Sequence, residues 1–215
     1  MAAILTSAYM PSVQWFYRLY RHGTARLEQW ENYTKQTCRN RCQIDSPNGV
    51  LCLTVPVEGG GKCLMKDVRI SDHNKWRHIH WEALRSSYLN SPFFEYYADD
   101  FRPFFEKKWD FLFDFNEEIV MKCAELMDLD IQLQRTECFV NDYSVDSMHT
   151  DYRENIPHAS VDDGFAACEY YQVFKNKHGF LPNISVVDLL FNMGPESVLV
   201  LDKCTDHIRQ GKNLI

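Results

Sequence analysis

A short basic segment carries the side chains best suited to binding an anion. Tyr33-Thr34-Lys35-Gln36-Thr37-Cys38-Arg39-Asn40-Arg41 places three cations and several hydrogen-bond donors within nine residues. Arg39 and Arg41 alternate, so in an extended segment their side chains would lie on one face, where two guanidinium forks suit a phosphate or carboxylate. We predict that this segment binds substrate through Tyr33, Lys35, Arg39, Asn40 and Arg41. The alternative is a solvated basic edge with Asn40 in a turn.

A second candidate is the histidine-rich segment Trp76-Arg77-His78-Ile79-His80-Trp81. His78 and His80 lie two positions apart, about 200° around a helix, so they cannot chelate one metal ion as an i, i+4 pair could. The spacing places His80 on an apolar helical face, which it shares with Trp76, Ala83, Leu84 and Ser87. A buried histidine beside a ligand would titrate near neutral pH and could act as the general base. The alternative is a core histidine with no chemical role.

Cys38 lies among the cations of the basic segment, close to Lys35, Arg39 and Arg41. Nearby positive charge lowers the pKa of a thiol and makes it nucleophilic. An acyl-transfer step through Cys38 is therefore a further hypothesis, and a bystander cysteine is its alternative.

Two weaker signals remain. The turn from Ser7 to Ser12 precedes a predicted helix, whose N-terminus could offer free N–H groups to an anion, but no glycine-rich phosphate loop is present. His149-Thr150-Asp151 has ligand-like spacing, but one such tripeptide is close to chance. We predict no metal site, and the sequence indicates no particular cofactor.

The composition predicts one globular domain over residues 1–204, followed by a polar tail at 205–215. Of 215 residues, 45% are hydrophobic and 25% charged, with a net charge of −7, which argues against broad nucleic-acid binding. The eight cysteines include no Cys-x-x-Cys pair, and the chain shows no signal peptide, so we expect reduced thiols and a cytoplasmic location. No apolar stretch approaches the ~20 residues of a membrane span. The composition is compatible with a homo-oligomer.

The predicted fold is α/β, with a mixed, mainly parallel sheet. Residues 3–9 and 24–30 are predicted strands, and the helix between them ends at Gly23, which gives a β-α-β unit. Asn48-Gly49 predicts a β-hairpin, whose nearly all-apolar second arm at 50–57 we expect to be central.

The middle of the chain is aromatic and predicted to be helical, from Lys75 to Leu129, with one helix beginning at Pro103. We expect strands at 131–140 and at 197–201, and between them a long acidic loop at 141–165. Loops of that length in compact domains are often functional.

These segments together resemble the WbqC-like protein family. The resemblance is carried by Tyr-x-Lys-Gln-x-x-x-Asn-Arg-Cys-x-Ile at 33–44, Leu-Thr-Val-Pro-Val at 53–57 and Trp-x-x-x-His-Trp at 76–81. It continues through Ser-Pro-Phe-Phe-Glu-Tyr-Tyr at 91–97 and Ser-Val-Val-Asp-Leu-Leu-Phe-Asn-Met-Gly-Pro at 185–195. It spans roughly residues 4–201. His158 stands where the family pattern usually has lysine.

The family takes its name from the product of a bacterial O-antigen gene cluster, and the resemblance implies a transferase that attaches glycine or another amino-acid group to a sugar. The expected ligand is a small anionic metabolite, either a nucleotide-sugar or an amino-acid derivative. The alternative is a non-catalytic binding or scaffold protein of a polysaccharide assembly system. In that case Phe93, Phe94, Tyr96 and Tyr97 should form one exposed patch.

Overall fold

The computed structural model describes residues 1–59, 63–143, 148–153 and 165–206. The chain begins with β1 (Ala2–Thr6), α1 (Val13–His22) and β2 (Thr24–Glu28). Gly23 ends α1 with φ 65°, a left-handed conformation that glycine adopts without strain. The predicted β-α-β unit is confirmed, since β1 and β2 pair in parallel.

An antiparallel hairpin follows, formed by β3 (Arg41–Ile44) and β4 (Leu51–Thr54). Its turn contains Gly49 at φ 99°, whose N–H donates to the Ser46 carbonyl. The hairpin is confirmed, but the central position expected for its second arm is wrong. Within the described residues β4 pairs only with β3, and Leu51 is 38% exposed.

Three helices form the aromatic middle of the chain: α2 (Trp76–Tyr88), α3 (Phe94–Glu106) and α4 (Leu112–Leu126). The helix start predicted at Pro103 is wrong, because α3 runs through it and α4 begins nine residues later, at Leu112. Pro103 and Asp99, whose carbonyl would accept the missing N–H, are both exposed, where water can replace the lost hydrogen bond.

The remaining elements are β5 (Gln132–Arg135), β6 (His149–Asp151), β7 (Phe165–Ala166), α5 (Lys175–His178), α6 (Val186–Met193), α7 (Ser197–Lys203) and β8 (Thr205–Asp206). The strand predicted at 197–201 is wrong. Ser197, Val200 and Leu201 are buried while Leu199 is 56% exposed, which is helical periodicity. A five-residue apolar run is too short to distinguish the helical period of 3.6 residues from the strand period of two. The predicted polar tail from residue 207 onward lies outside the described residues.

The central sheet has four strands in the order β5-β2-β1-β6, and all three pairings are parallel. The mainly parallel sheet is therefore confirmed. From β1 the chain moves to β2 and β5 on one side, and β6 then pairs on the other side of β1. The carboxyl ends of β1 and β6 flank this topological switch point, where open parallel sheets bind ligands. None of the described helices is both long and apolar enough to cross a membrane.

Candidate functional site

Charged and hydroxyl side chains collect where the four parallel strands end. Because parallel strands present their carboxyl ends at the same edge, residues that follow different strands meet there. We call this group the carboxyl-edge cluster; its members are Thr6, Glu28, Glu31, Arg39, Thr136, Asp151 and Arg153.

Glu31 and Arg39 form the first half of the cluster. The Arg39 guanidinium donates from Nε to Glu31 Oε1 at 2.9 Å and from Nη2 to Oε2 at 2.5 Å, a two-pronged geometry that aligns both groups. The Thr6 hydroxyl also donates to Glu31. Burial lowers the pKa of Arg39, but the hydrogen bond and charge of Glu31 outweigh it, so the pKa is raised overall. Arg39 is therefore a fixed cation.

Glu28 and Arg153 form the second half. Glu28 is fully buried and accepts hydrogen bonds from the Trp30 N–H and the Thr136 hydroxyl. Arg153 Nη1 lies 3.3 Å from Glu28 Oε2, and its Nη2 donates to Asp151 Oδ2 at 2.6 Å. Burial lowers the pKa of Arg153, but hydrogen bonding and charge from Asp151, with the charge of Glu28, raise it overall.

Aromatic rings border this half of the cluster. The Arg153 guanidinium carbon lies 5.3 Å from the ring centroid of Phe139 and 5.1 Å from that of Tyr143. Phe139 is 49% exposed, so the aromatic border reaches the surface. Trp30 lies nearby, with its indole N–H on the Thr136 carbonyl and the Lys66 ammonium 3.6 Å from its ring centroid. A planar or apolar part of a ligand could pack here.

The cluster holds three carboxylates and two guanidinium groups, paired as Glu31–Arg39 and as Glu28–Arg153–Asp151, so its charges nearly balance. Buried charges of this kind contribute little net stability, since desolvation offsets their attraction. They can serve recognition, because a ligand carrying both an anionic and a cationic group finds partners for each. Over the described ranges, no three His, Cys, Asp or Glu side chains are grouped so as to hold a metal ion.

Three of the predicted binding residues lie near one another. The Tyr33 hydroxyl is buried, and burial raises its pKa against the opposing charges of Arg41 and Arg39. Arg39 lies in a turn, since the Arg41 N–H donates to the Thr37 carbonyl at 3.1 Å. The extended segment expected to align Arg39 with Arg41 is therefore wrong. Arg39 faces Glu31 instead.

The other two predicted residues differ from each other. Lys35 is exposed. Asn40 is buried and structural: its Nδ2 donates to the Val55 carbonyl at 3.0 Å, and its own carbonyl accepts the Val55 N–H. Asn40 thereby fixes the basic segment to the base of the hairpin.

His80 lies in an aromatic layer that it forms with Tyr9, Trp76 and Phe105. Its Nδ1 is 2.8 Å from the Tyr9 hydroxyl, and its ring lies edge-on to Trp76 and Phe105. Burial lowers the pKa of His80 to about 4, against a backbone hydrogen bond with Thr54 that raises it, which is below the near-neutral value predicted for a histidine beside a ligand. The ring is neutral, which suits an Nδ1 that accepts the phenol proton.

Tyr9 connects this histidine to the basic segment. It follows β1, and its backbone N–H donates to the Cys38 carbonyl at 2.9 Å. Asn116 on α4 fixes the same region, with Nδ2 hydrogen bonds to the Ser7 hydroxyl and the Arg39 carbonyl. The layer around His80 therefore positions the loop that carries Arg39.

Two weaker hypotheses are not favoured by the structure. The pKa of Cys38 is raised to about 11, chiefly by burial, which outweighs the opposing charge of Arg39, and this favours the bystander cysteine over an activated thiolate. In the first turn of α1, the N–H groups of Val13, Gln14 and Trp15 already donate to Ile184, Asn183 and Ser12. That helix end has no free donors there for an anion.

Sequence reasoning missed most of the cluster. Glu28 lies near the carboxyl end of a predicted strand of a parallel sheet and Glu31 directly follows that strand, and this position alone could have identified them. Arg153 was visible only as one cation in an acidic loop. The rest of that loop lies largely outside the described residues, including His158.

Comparison with known proteins identifies the family of this chain. The model of the WbqC-like protein family matches residues 6–172. The chain belongs to the WbqC-like protein family. An uncharacterized protein of Mycobacterium tuberculosis, Rv1507c, is 27% identical, with 80% of this chain and 84% of that protein aligned. No solved structure matches the chain significantly.

Proposed function

We propose that this WbqC-like protein is a cytoplasmic transferase that binds a small anionic metabolite at the carboxyl-edge cluster. The substrate class is a sugar or nucleotide-sugar that receives an aminoacyl, glycyl or other acyl group, as in bacterial surface polysaccharide biosynthesis. The observation that supports this is a pair of largely buried ion-pair groups, Glu31–Arg39 and Glu28–Arg153–Asp151, at the switch point of a parallel sheet.

The roles follow from charge and position. Arg39 and Arg153 supply fixed guanidinium groups for a phosphate or carboxylate. The carboxylates of Glu28 and Glu31 supply acceptors for an ammonium or hydroxyl group. An amino-acid derivative carries both kinds of group, so the near balance of charge favours it over a polyanion.

The predicted residues around the cluster complete the proposal. Tyr33, Lys35 and Arg41 would contact the substrate from the basic segment, and Asn40 would hold that segment in place. His80, neutral at physiological pH, remains the proposed proton acceptor. Because it is buried, any proton would reach it through the Tyr9 hydroxyl.

A non-catalytic scaffold is the alternative, and the aromatic segment does not favour it. Tyr96 is 77% exposed, but Phe94 is 2% exposed and packs edge-on against Phe191. The four aromatic residues at 93–97 therefore do not form one exposed patch.

A thermal-shift panel tests the proposal with amino acids, nucleotides, nucleotide-sugars and acyl-CoA compounds. A ligand at 100 times its Kd should stabilise the fold by roughly 2.7 kcal/mol, about 5 to 10 °C in Tm for a chain of this length. We expect a stabilising ligand whose effect is lost in Arg39→Ala and kept in Arg26→Ala, a matched control at an exposed arginine on β2. Stabilisation by no compound would contradict the proposal.

A further inference from the structure

A groove between α2 and α3 lies apart from the carboxyl-edge cluster. It encloses about 540 Å³, within the range of roughly 300–1,000 Å³ typical of small-molecule sites. Four α2 residues at helical spacing form one wall, and a matching face of α3 forms the other. The lining residues are His78, Trp81, Glu82, Arg85, Ala98, Asp99, Arg102, Phe105 and Glu106.

The floor of the groove is aromatic. The rings of Trp81 and Phe105 have centroids 5.9 Å apart and planes inclined by 32°. Phe105 is buried and Trp81 is only partly buried, so Trp81 supplies most of the accessible apolar surface and Phe105 packs beside it. His80, the residue before Trp81 on α2, points the other way into the aromatic layer. The groove is thus on the outer side of α2.

The rim is polar, and most of its charged side chains pair with one another. Arg85 donates to Glu82 at 2.9 Å on α2, and Arg102 donates to Glu106 at 2.6 Å on α3. All four side chains are between 45% and 60% exposed. A strongly charged ligand would repel one member of each pair. A neutral ligand with many hydroxyls could accept from the arginines and donate to the carboxylates at once.

We propose that this groove is a second ligand site, which binds a neutral polyhydroxylated ring such as a pyranose. The apolar face of the ring packs on Trp81, beside the exposed edge of Phe105. Its hydroxyls hydrogen-bond to Arg85, Arg102 and Asp99 at the rim. The proposal does not depend on the carboxyl-edge cluster, so either site can fail without the other.

The test is an NMR titration of the full-length chain, with the indole N–H signals of its five tryptophans observed. The probes are the methyl pyranosides of glucose, galactose and mannose, with choline as a cationic comparison. The Trp81 signal is assigned by its absence in Trp81→Leu. We expect saturable movement of that signal with at least one pyranoside.

Substitutions at two exposed positions test whether the pyranoside binds in the groove. Asp99→Ala, at the rim, should weaken pyranoside binding about tenfold, whereas Tyr96→Ala, on α3 but outside the groove lining, should leave it unchanged. Both sites are exposed, so neither variant should affect folding. The proposal is overturned if no pyranoside moves the Trp81 signal, if only choline does, or if Asp99→Ala binds as tightly as the unmodified chain.

Discussion

The carboxyl-edge cluster and the layer around His80 both bury polar side chains, but they do so in opposite ways. The cluster keeps its groups charged and pairs each with an opposite charge. The layer keeps His80 neutral, among aromatic rings, with the Tyr9 hydroxyl on Nδ1. Charge is costly to bury and adds little net stability, so the paired charges at the switch point support the proposed ligand site. A neutral, hydrogen-bonded histidine can be buried at a much smaller free-energy cost than an ion.

Breaking one partner of the Glu31–Arg39 pair should have the largest effect on stability. Glu31→Leu leaves the Arg39 guanidinium, whose side chain is 12% exposed, without its carboxylate. We expect a loss of about 3–5 kcal/mol in the free energy of unfolding, measured by urea denaturation. The double variant Glu31→Leu/Arg39→Met should recover most of that loss, because it removes both charges. A double variant as unstable as the single one would show that the pair itself holds the fold together.

The pH dependence of stability separates His80 from a second buried group, Asp188. Burial lowers the pKa of His80 from 6.5 to about 4, so its contribution is fully present above pH 6.5 and is lost as the pH falls through about 4. Burial raises the pKa of Asp188 from 3.8 to about 6 despite hydrogen bonds from Tyr170 and Gln172. Its contribution is fully present below pH 3.8 and is lost as the pH rises through about 6.

The two contributions therefore oppose each other between about pH 4 and pH 6. Asp188→Asn removes the contribution of Asp188, which offsets the destabilisation that His80 causes at acid pH. We expect this variant to lose more stability than the unmodified chain on acidification from pH 6.5 to 4, by on the order of 1–3 kcal/mol. Urea unfolding at a series of pH values measures the difference. Parallel stability curves would argue against a protonated Asp188 in the fold.

Removing the Tyr9 hydroxyl should have a smaller effect. Tyr9→Phe leaves His80 Nδ1 buried without its 2.8 Å partner, which should destabilise by roughly 1–2 kcal/mol. The ring contacts of Tyr9 with Phe115 remain possible. If His80 is only structural, stability falls while ligand-induced stabilisation is unchanged. A proton-accepting role instead predicts that turnover falls further than stability explains.

Breaking the exposed ion pair Arg102–Glu106 should have the smallest effect on the free energy of unfolding. The pair serves as a reference for the effects of breaking buried pairs. Its side chains are 57% and 60% exposed, so Arg102→Ala should change the unfolding free energy by less than about 0.5 kcal/mol. A larger change would mean that exposure does not separate weak ion pairs from strong ones in this chain.

The sequence correctly predicted those elements that depend only on residues close together in the chain. Gly23, Asn48-Gly49 and the apolar spacing from Trp76 to Leu84 identified a helix end, a hairpin and an inward helical face. The last helix was missed, since five apolar residues at 197–201 suit either period. The partner of Arg153 could not be predicted, because Glu28 lies on another strand and reaches it only through strand order. The partner of Arg39 depends on the turn that directs its side chain toward Glu31. The groove also depends on how α2 and α3 pack.

The central claim is a ligand site at the carboxyl-edge cluster, and the double variant Glu31→Leu/Arg39→Met tests it most directly. It should fold with nearly full stability but lack the fork that Arg39 presents. The measurement is its ligand-induced change in Tm, beside that of the unmodified chain, across amino-acid derivatives and nucleotide-sugars. The account predicts a compound that stabilises the unmodified chain and leaves the folded double variant unmoved. Equal stabilisation of both proteins would place the site elsewhere and contradict it.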